Sequence, residues 1–473
     1  MNINKTLFPL ALIPLLGLGL VGCDSDDSDS SSNSGHIQIY NGSANAPSLT
    51  LTLTQGDDEY SHTGIAYPES SGYFSYDTGS YDLALSWEDS DEETVTLYEE
   101  SIKISNEKWE LLTVSGDITQ GEVNHFQITE VDLDSDDDQF GVRFINLSES
   151  VPAMNIYWAE EDEGFDQAEL LFQLDANNQS EELYFDRDGY QIFVTASDSD
   201  DLLYQSSTVQ FYSTTQYILI LRDDAGSAPL SMDRVSTSTG AVEYPDSQTK
   251  AQLWLYNGLR QHELLPEYTG SIDVTINQPE PVGNIGALTE GLFSEAQILE
   301  PGDYTLDFSD TTSGEPLASN HLVSLTEDQD QTLFVYLQEY DYDEDDEQED
   351  EVKLHTLSLA NSQRSSIYDH QFKVVNLVDD YGVVTFHFLL PGETIADGSY
   401  SVTASFSESS SIILPNDSYR IQAVTESYGT DLLLSTLEMT LDEQSSEYFL
   451  LLQEDAQTTS GFSLTAAPQD HPQ

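Results

Sequence analysis

Four short stretches that end on asparagine decide the fold of this 473-residue chain: HIQIYN (36–41), GVRFIN (141–146), QLWLYN (252–257) and QFKVVN (371–376). In each stretch the residues four and two places before the asparagine are apolar. This period of two predicts a strand with one buried face. The asparagines recur at spacings of 105, 111 and 119 residues, so the sequence predicts four copies of one β unit.

Two further signals follow each asparagine. A second alternating strand begins at the same offset in three copies, and in the third copy it is delayed by a seven-residue insertion around 261–268. A tyrosine then follows a tight turn and begins another alternating strand, at Tyr81, Tyr190, Tyr304 and Tyr419. Such a tyrosine is either a tyrosine corner, with its hydroxyl bonded to nearby backbone, or an ordinary large residue of a strand.

Short strands, frequent Gly, Ser and Asp turns and the lack of a 3.6-residue period predict an all-β chain. We expect four tandem immunoglobulin-like β-sandwich domains of about seven strands each. The predicted boundaries are 36–133, 139–240, 249–361 and 368–467. In a straight row, four such domains would project about 140 Å.

The segment Asn41-Gly42-Ser43-Ala44-Asn45-Ala46-Pro47 resembles the bacterial domain-of-unknown-function family 4397. The second copy keeps Asn146-Leu147-Ser148 and Val151-Pro152-Ala153, whereas the third and fourth copies lack the Ala-Pro step. The resemblance implies tandem β-sandwiches in a secreted or lipid-anchored protein. It implies no catalytic residues, because none are established for the family.

Residues 1–22 have the plan of a secretory signal peptide, with an apolar run from Leu7 to Leu20 that is too short to span a bilayer. The sequence Leu20-Val21-Gly22-Cys23 resembles the lipobox of bacterial lipoproteins. That resemblance implies cleavage between Gly22 and Cys23, a diacylglyceryl thioether on Cys23, and acylation of the new amino terminus, for example with palmitate. The alternative is an ordinary signal peptide with an incidental cysteine.

Residues 23–35 are rich in Asp and Ser and predict a disordered acidic tether. We therefore expect a protein of the bacterial cell envelope, anchored to a membrane by lipid and facing the periplasm or the cell exterior. Asp24 matches the residue that favours inner-membrane retention in enterobacterial lipoproteins. Other bacterial groups read different positions, so inner and outer membrane both stay open.

The charge balance excludes several function classes. The chain has 13 Lys and Arg against 87 Asp and Glu, a formal net charge of −74. Such a chain does not neutralise phosphate backbones or anionic lipid surfaces, so nucleic-acid binding is not expected. A single cysteine excludes internal disulfides, thiolate zinc clusters and iron–sulfur centres. We hypothesise that the acidity keeps the domains soluble and spread in a salty medium.

Acidic clusters raise the question of calcium. Asp134, Asp136 and Asp138 alternate at the junction of the first two copies and are weak Ca²⁺ candidates. The EF-hand pattern fails because Gln139 occupies the position that requires glycine. A second run, 341–351, lies in a loop of the third copy. A solvated linker is the favoured interpretation, and no cofactor beyond weakly bound Ca²⁺ is expected.

Catalytic signals are weaker still. The sequence has no H-E-x-x-H, G-x-S-x-G or phosphate-binding glycine loop, and its nine histidines are scattered singly over the copies. Pairs of carboxylates for glycoside hydrolysis arise by chance among 87 acids. We therefore expect a protein that is not an enzyme.

Aromatic residues give another possibility. Tyr40, Tyr157 and Tyr256 have the outward parity of their strands, whereas Trp158 has the inward parity. Outward tyrosines could form a platform that stacks sugars, although they are also common in plain β proteins. The first hypothesis is thus a non-catalytic structural or adhesive array that contacts envelope proteins. The alternatives are a binder of extracellular polysaccharide or another ligand, and an unrecognised hydrolase.

Overall fold

Eight β-sheets make up the computed structural model of this chain, which describes residues 33–89, 93–131, 133, 138–237, 240–340 and 350–470. The sheets stack in four pairs, so the all-β class and the repeated β-sandwiches predicted from the sequence are confirmed. The helical content of the described residues is one 3-10 turn, Ile118–Gln120. Among them, no helix has the length and apolar character needed to cross a membrane.

Sandwich 1 contains eight strands, one more than the predicted seven. Its two sheets have the strand orders β4-β1-β7-β8 and β3-β2-β5-β6. The strands are β1 Ser34–Asn41, β2 Leu49–Gln55, β3 Asp58–Ile65, β4 Phe74–Asp77, β5 Gly79–Glu88, β6 Thr94–Ile104, β7 Lys108–Ser115 and β8 Glu122–Thr129.

Sandwich 2 is the most divided, because its edge strands are split and a further strand follows at the end. Its sheets have the orders β12-β9-β17-β18-β19, with β13 also on β9, and β11-β10-β14-β15, with β16 also on β14. The strands are β9 Gln139–Asn146, β10 Ala153–Glu160, β11 Glu169–Asp175, β12 Asn178–Gln179, β13 Leu183–Asp186, β14 Gly189–Ala196, β15 Leu202–Gln205, β16 Val209–Gln210, β17 Gln216–Asp223, β18 Leu230–Ser236 and β19 Ala241–Tyr244.

Sandwiches 3 and 4 repeat the eight-strand plan of sandwich 1. Their sheets have the orders β23-β20-β26-β27 with β22-β21-β24-β25, and β31-β28-β34-β35 with β30-β29-β32-β33. Sandwich 3 has β20 Ala251–Asn257, β21 Ser271–Gln278, β22 Glu280–Thr289, β23 Gln297–Leu299, β24 Gly302–Asp310, β25 Pro316–Leu325, β26 Asp330–Tyr340 and β27 Glu351–Ala360. Sandwich 4 has β28 Asp369–Asn376, β29 Val383–Leu389, β30 Tyr400–Ser405, β31 Ser409–Pro415, β32 Ser418–Ser427, β33 Thr430–Thr440, β34 Tyr448–Glu454 and β35 Phe462–Pro468.

Each sandwich has its own apolar core, made by the alternation that the sequence displays. In sandwich 1, Leu49, Leu51 and Leu53 of β2 are fully buried against the inward residues of β1, β5 and β7. The equivalent alternating residues of β10, β21 and β29 are buried in the other three cores. One face of each strand thus fills a core, as period two requires.

The direction of the last strands sets how neighbouring sandwiches meet. In every sandwich the Asn-terminated strand pairs in parallel with a later strand: β1 with β7, β9 with β17, β20 with β26, and β28 with β34. In sandwiches 1 and 3 one antiparallel strand follows, so the chain leaves at the end where it entered. Sandwich 2 adds β19 after β18, which sends the chain out at the opposite end.

The sandwiches therefore pack side by side in two pairs. Sandwich 1 meets sandwich 2, and sandwich 3 meets sandwich 4, in both cases through the outer faces of the sheets that hold the Asn-terminated strands. The linker strap, which we define as residues 361–368 between β27 and β28, crosses back to sandwich 1. The straight row considered from the sequence is wrong, because the returning strands and this contact close the four sandwiches on one another.

Candidate functional site

The four asparagines have one structural task. Each is fully buried, and its Oδ1 accepts a hydrogen bond from the backbone N–H two residues later. Each Nδ2 donates to a backbone carbonyl beyond that turn, for example from Asn41 to Ile65 at 3.2 Å and from Asn257 to Leu288 at 2.8 Å. The asparagine therefore stabilises the turn and links it to the neighbouring backbone.

The four tyrosines after tight turns are tyrosine corners. Each hydroxyl donates to the carbonyl oxygen four residues earlier, at distances between 2.5 and 2.9 Å: Tyr81 to Asp77, Tyr190 to Asp186, Tyr304 to Glu300, and Tyr419 to Pro415. This geometry decides between the two interpretations that the sequence left open.

The predicted sugar-stacking platform is wrong for two of its three tyrosines. Tyr40 and Tyr256 do point out of their own sandwiches, but they are 0% and 2% exposed because the next sandwich covers them. Tyr157 packs edge-on against Phe165, with ring centroids 5.1 Å apart. Trp158 lies in the core, as its parity predicts.

A buried ionic cluster lies between sandwiches 1 and 2. The Arg222 guanidinium is 2% exposed and donates from Nε to Asp233 Oδ2 at 2.7 Å and to the Tyr40 hydroxyl at 3.1 Å. The Tyr40 hydroxyl itself donates to Asp233 Oδ2 at 2.6 Å, and Arg222 Nη1 donates to the Tyr67 hydroxyl at 2.7 Å. Arg222 also pairs with Glu243. Burial raises the pKa of Asp233, and Arg222 opposes that rise.

No sequence pattern singled out this cluster. Arg222 comes directly after the apolar run Tyr217–Leu221, and only 13 Lys and Arg occur in the chain. An arginine that ends a buried strand in so acidic a chain signals a paired cation. Its partners, however, come from two sandwiches, and a single sequence does not tell which ones.

Only part of the predicted acidic clusters lies within the described residues. Asp134, Asp136, Gly22 and Cys23 lie outside the described residues, as do 341–349, and the Asp138 carboxylate pairs with Arg187. His36 and His125 bond to Glu130 and Glu110 of sandwich 1, at 2.5 and 2.8 Å. Among the described residues, no group of three or more His, Cys, Asp and Glu side chains is arranged to hold a metal ion.

The linker strap lies on the loop that carried the family resemblance. Ser365 N–H donates to the Ala44 carbonyl and Ile367 N–H to the Asn45 carbonyl, both at 3.3 Å. Arg364 donates to the Ala46 carbonyl at 3.4 Å and also pairs with Asp369 and Glu447. Burial raises the pKa of Glu447 to about 7, and Arg364 opposes that rise.

A central cavity of about 780 Å³ opens where all four sandwiches meet. Its acidic lining comes from three sandwiches: Glu69, Asp224, Glu243, Glu327, Asp328 and Asp330. Its two basic residues already have bonding partners: Arg364 pairs with Asp369, and Lys373 Nζ donates to the Ala360 carbonyl at 2.5 Å. Burial, followed by repulsion from Asp224 and Glu243, raises the pKa of Asp328 to about 7. The central cavity therefore suits polar or cationic groups.

A second cleft, of about 760 Å³, lies between sandwiches 3 and 4. The insertion that the sequence places around 261–268 forms one wall of it. Arg260 bridges Glu339 and Glu454, and His262 Nε2 lies 3.1 Å from Glu339. Burial raises the pKa of Glu454, opposed by Arg260. Through these ion pairs the residues that line the cleft connect sandwich 3 to sandwich 4.

Residues 35–157 match the family model described as "Domain of unknown function (DUF4397)". This part of the chain is similar to the DUF4397 family. The DUF4397 match begins in β1 and ends within β10, so it covers sandwich 1 and the first two strands of sandwich 2. The resemblance stated for the Asn41–Pro47 segment is confirmed, whereas the extension of DUF4397 to the later copies stays a prediction.

Comparison with other proteins adds little to the DUF4397 assignment. No curated protein matches the chain. The Bacillus anthracis TIE protein is 9% identical over 91% of this chain and 75% of that one, with a TM-score of 0.16. A leucine-rich repeat protein from Bacteroides thetaiotaomicron is 12% identical over 43% and 26%, with a TM-score of 0.12. The chicken CNTN1 FN1–FN3 domains are 10% identical over 62% and 91%, with a TM-score of 0.12. At these TM-scores none of the three supports a conclusion.

Proposed function

We propose that this protein is a lipid-anchored, non-catalytic interaction protein of the bacterial envelope, which holds four β-sandwiches together close to a membrane. The observation that carries the proposal is the closure of the chain on itself: two buried interfaces pair the sandwiches, and the linker strap joins sandwich 4 to sandwich 1. A closed body holds its surface loops on a rigid scaffold, and binding residues concentrate on loops of that kind.

The tether limits how far this body stands from its anchor. Ten residue steps separate Cys23 from Asn33, the first described residue. Fully extended, they reach about 36 Å at most. With acyl chains on Cys23, the partner would be a molecule at or near the same membrane.

A cysteine-transfer experiment tests the anchor. Cys23→Ser should abolish labelling by a fatty-acid probe and release the protein from membranes. The matched control, Cys23→Ser with Ser30→Cys, keeps one thiol but moves it out of the lipobox, and should also stay unlabelled. Labelling of either variant would contradict the lipobox interpretation. Protease treatment of intact cells would then show whether the protein faces the outside.

Site-specific cross-linking tests the interaction role. We would place a photoreactive residue at exposed positions of the four sandwiches, Tyr60, Tyr212, Ile298 and Tyr428 in turn, in the native host. The proposal expects a discrete envelope partner at some positions and none at others. Uniform lack of defined cross-links from all four sandwiches would oppose it.

The central cavity favours one second candidate, binding of an extracellular polysaccharide or another polar ligand. Its volume is within the range of small-molecule sites. A glycan array and a panel of cationic solutes should give a binder that is weakened by Glu327→Gln, which removes a carboxylate from the cavity wall. The matched control is Glu59→Gln, because Glu59 is an exposed residue of β3 and is not among the residues that line this cavity. Equal effects of both variants, or no binder at all, would reject this candidate.

A further inference from the structure

The linker strap contacts sandwich 1 as a bound peptide would. Two of its backbone N–H groups, those of Ser365 and Ile367, donate to consecutive carbonyls of the loop at Ala44 and Asn45. Hydrogen bonds to main-chain groups give affinity for extended segments largely independently of sequence. In return, Ser48 N–H donates to the Asp369 carboxylate at 3.2 Å, so the loop also recognises a side chain beside the strap.

Side chains supply the specificity of this contact. Ile367 and Tyr368 pack against the core of sandwich 1, and the Tyr368 ring lies 5.7 Å from the ring of Trp87. Arg364 reaches the Ala46 carbonyl. An arginine, an isoleucine and a tyrosine thus occupy positions one, four and five of one short segment.

The strap is held to sandwich 4 by Arg364, which pairs with Glu447, and by Asn416, which donates to the Ile367 carbonyl at 2.8 Å, but it lies outside the sheets. Residues 361–368 lie between β27 and β28 and contribute no strand to sandwich 3 or 4. Their direct hydrogen bonds to sandwich 1 are 3.3–3.4 Å long, at the weak end of the usual range. Releasing the strap from sandwich 1 would therefore leave every sheet of the molecule intact.

Sandwich 2 shows why this loop is special. Its equivalent loop is held by the Asp223 carboxylate, which accepts from Ser148 Oγ at 2.5 Å and from Glu149 N–H at 3.0 Å. By strand register, Gly116 is the counterpart of Asp223 in sandwich 1. In sandwich 1 the Gly116 carbonyl accepts from Ser43 Oγ at 2.7 Å and the Asp117 carboxylate accepts from Asn45 Nδ2 at 3.1 Å, which leaves the Ala44 and Asn45 carbonyls to the strap.

We propose that the loop 43–48 of sandwich 1, together with Trp87, is a binding site for an extended peptide with an Arg-x-x-Ile-Tyr pattern, and that the strap occupies this site from within the same chain. A partner protein that carries such a segment would bind by displacing the strap and would open the contact between sandwiches 1 and 4. This inference goes beyond the proposed function and does not depend on the lipid anchor.

The test uses the full chain with Cys23→Ser and a fluorescent synthetic peptide of residues 361–370. In the chain, Arg364→Ala with Tyr368→Ala should free the site, so the peptide should bind this variant at least tenfold more tightly than the unaltered chain. The matched control peptide carries N-methyl groups on the nitrogens of Ser365 and Ile367, which removes the two donors while keeping every side chain. It should lose at least tenfold in affinity.

Hydrogen exchange of the same two amides gives a second readout that needs no peptide. In the unaltered chain the Ser365 and Ile367 amides should exchange slowly, and Tyr368→Ala should speed both while the strand amides of β27 and β28 stay protected. The proposal fails if the peptide ignores the folded double variant, or if N-methylation leaves its affinity unchanged. Loss of membrane anchoring would affect neither readout, so this failure and that of the proposed function are distinguishable.

Discussion

The two face-to-face interfaces use equivalent strands but different chemistry. Between sandwiches 1 and 2, Tyr40 bonds to the buried ion pair of Arg222 and Asp233. Between sandwiches 3 and 4, the equivalent tyrosine, Tyr256, donates to the side-chain oxygen of Gln453, which occupies the register position of Arg222. The rest of the second interface combines aliphatic side chains with aromatic rings, including Phe334 and Phe449, whose ring centroids lie 5.1 Å apart.

The difference shows that both interfaces share an apolar contact, whereas the polar contact of the tyrosine hydroxyl is an ion pair in one interface and a neutral side chain in the other. A buried ion pair fixes partners and geometry, yet it contributes little net stability because both charges are desolvated. The neutral version at Gln453 avoids that cost. We therefore expect the interface between sandwiches 1 and 2 to be the more sensitive to single polar substitutions.

The largest effect should come from Arg222→Met. It leaves the Asp233 carboxylate buried without its cation, which costs about 3–5 kcal/mol in the free energy of unfolding. The matched variant Gln453→Met removes a neutral acceptor and should cost about 1 kcal/mol. Calorimetry would show the effects as shifts of separate transitions. Adding Asp233→Leu to Arg222→Met should restore most of the loss, and a double variant no better than the single one would contradict this account.

Truncation of matched apolar residues should erase the contrast. Ile220 and Leu451 occupy the same register position and are both buried at their interfaces. Ile220→Ala and Leu451→Ala should each cost about 2–4 kcal/mol. Denaturation of both variants at low and high salt should show no salt dependence of the loss. A loss confined to one interface would mean that the two contacts are not equivalent.

Removal of the two tyrosine hydroxyls compares the polar bonds directly. Tyr40→Phe removes a donor to a buried carboxylate and should cost about 1.5–3 kcal/mol, whereas Tyr256→Phe removes a neutral bond worth about 1 kcal/mol. Thermal unfolding of the two variants under one condition measures the ratio. Equal costs would contradict this expectation, because they would mean that the Tyr40 bond to Asp233 is no stronger than the Tyr256 bond to Gln453.

A pH series sharpens the comparison at the central cavity. Since the pKa of Asp328 is raised to about 7 in the folded chain, the folded state binds more protons than the unfolded state between about pH 4 and 7. Its contribution to stability is therefore complete below about pH 4 and is lost as the pH rises toward 7. Asp328→Asn should flatten the melting-temperature profile in this window. The control is Asp57→Asn, on the exposed turn between β2 and β3.

Salt should give the smallest and least local effect. Screening shortens the range of repulsion from about 10 Å at 0.1 M to about 3 Å at 1 M. With a net charge of −74, the chain should melt at a higher temperature and scatter as a more compact particle as NaCl increases. Melting curves and scattering profiles that do not change with salt would refute the hypothesis that acidity spreads the domains.

The repeat itself was predictable because it depends on local rules. Period-two alternation placed Leu49, Leu51 and Leu53 in a core, and the recurring asparagine marked equivalent turns. The assembly was not predictable, because parity shows that Tyr40 leaves its own core but not that another sandwich covers it. The Arg222 cluster and the strap join residues that lie far apart along the chain. No local pattern encodes such pairs.

The extra strand β19, Ala241–Tyr244, has a consequence for how such chains can be built. After the parallel strand of each unit, one returning strand turns the chain back and two send it onward. Whether the number of strands after the parallel strand is odd or even therefore decides at which end of the sandwich the chain leaves for the next domain. Without β19 the chain would leave sandwich 2 at the end where it entered. A strand of four residues could therefore be added or removed in designed tandem proteins to choose the end at which the next domain begins.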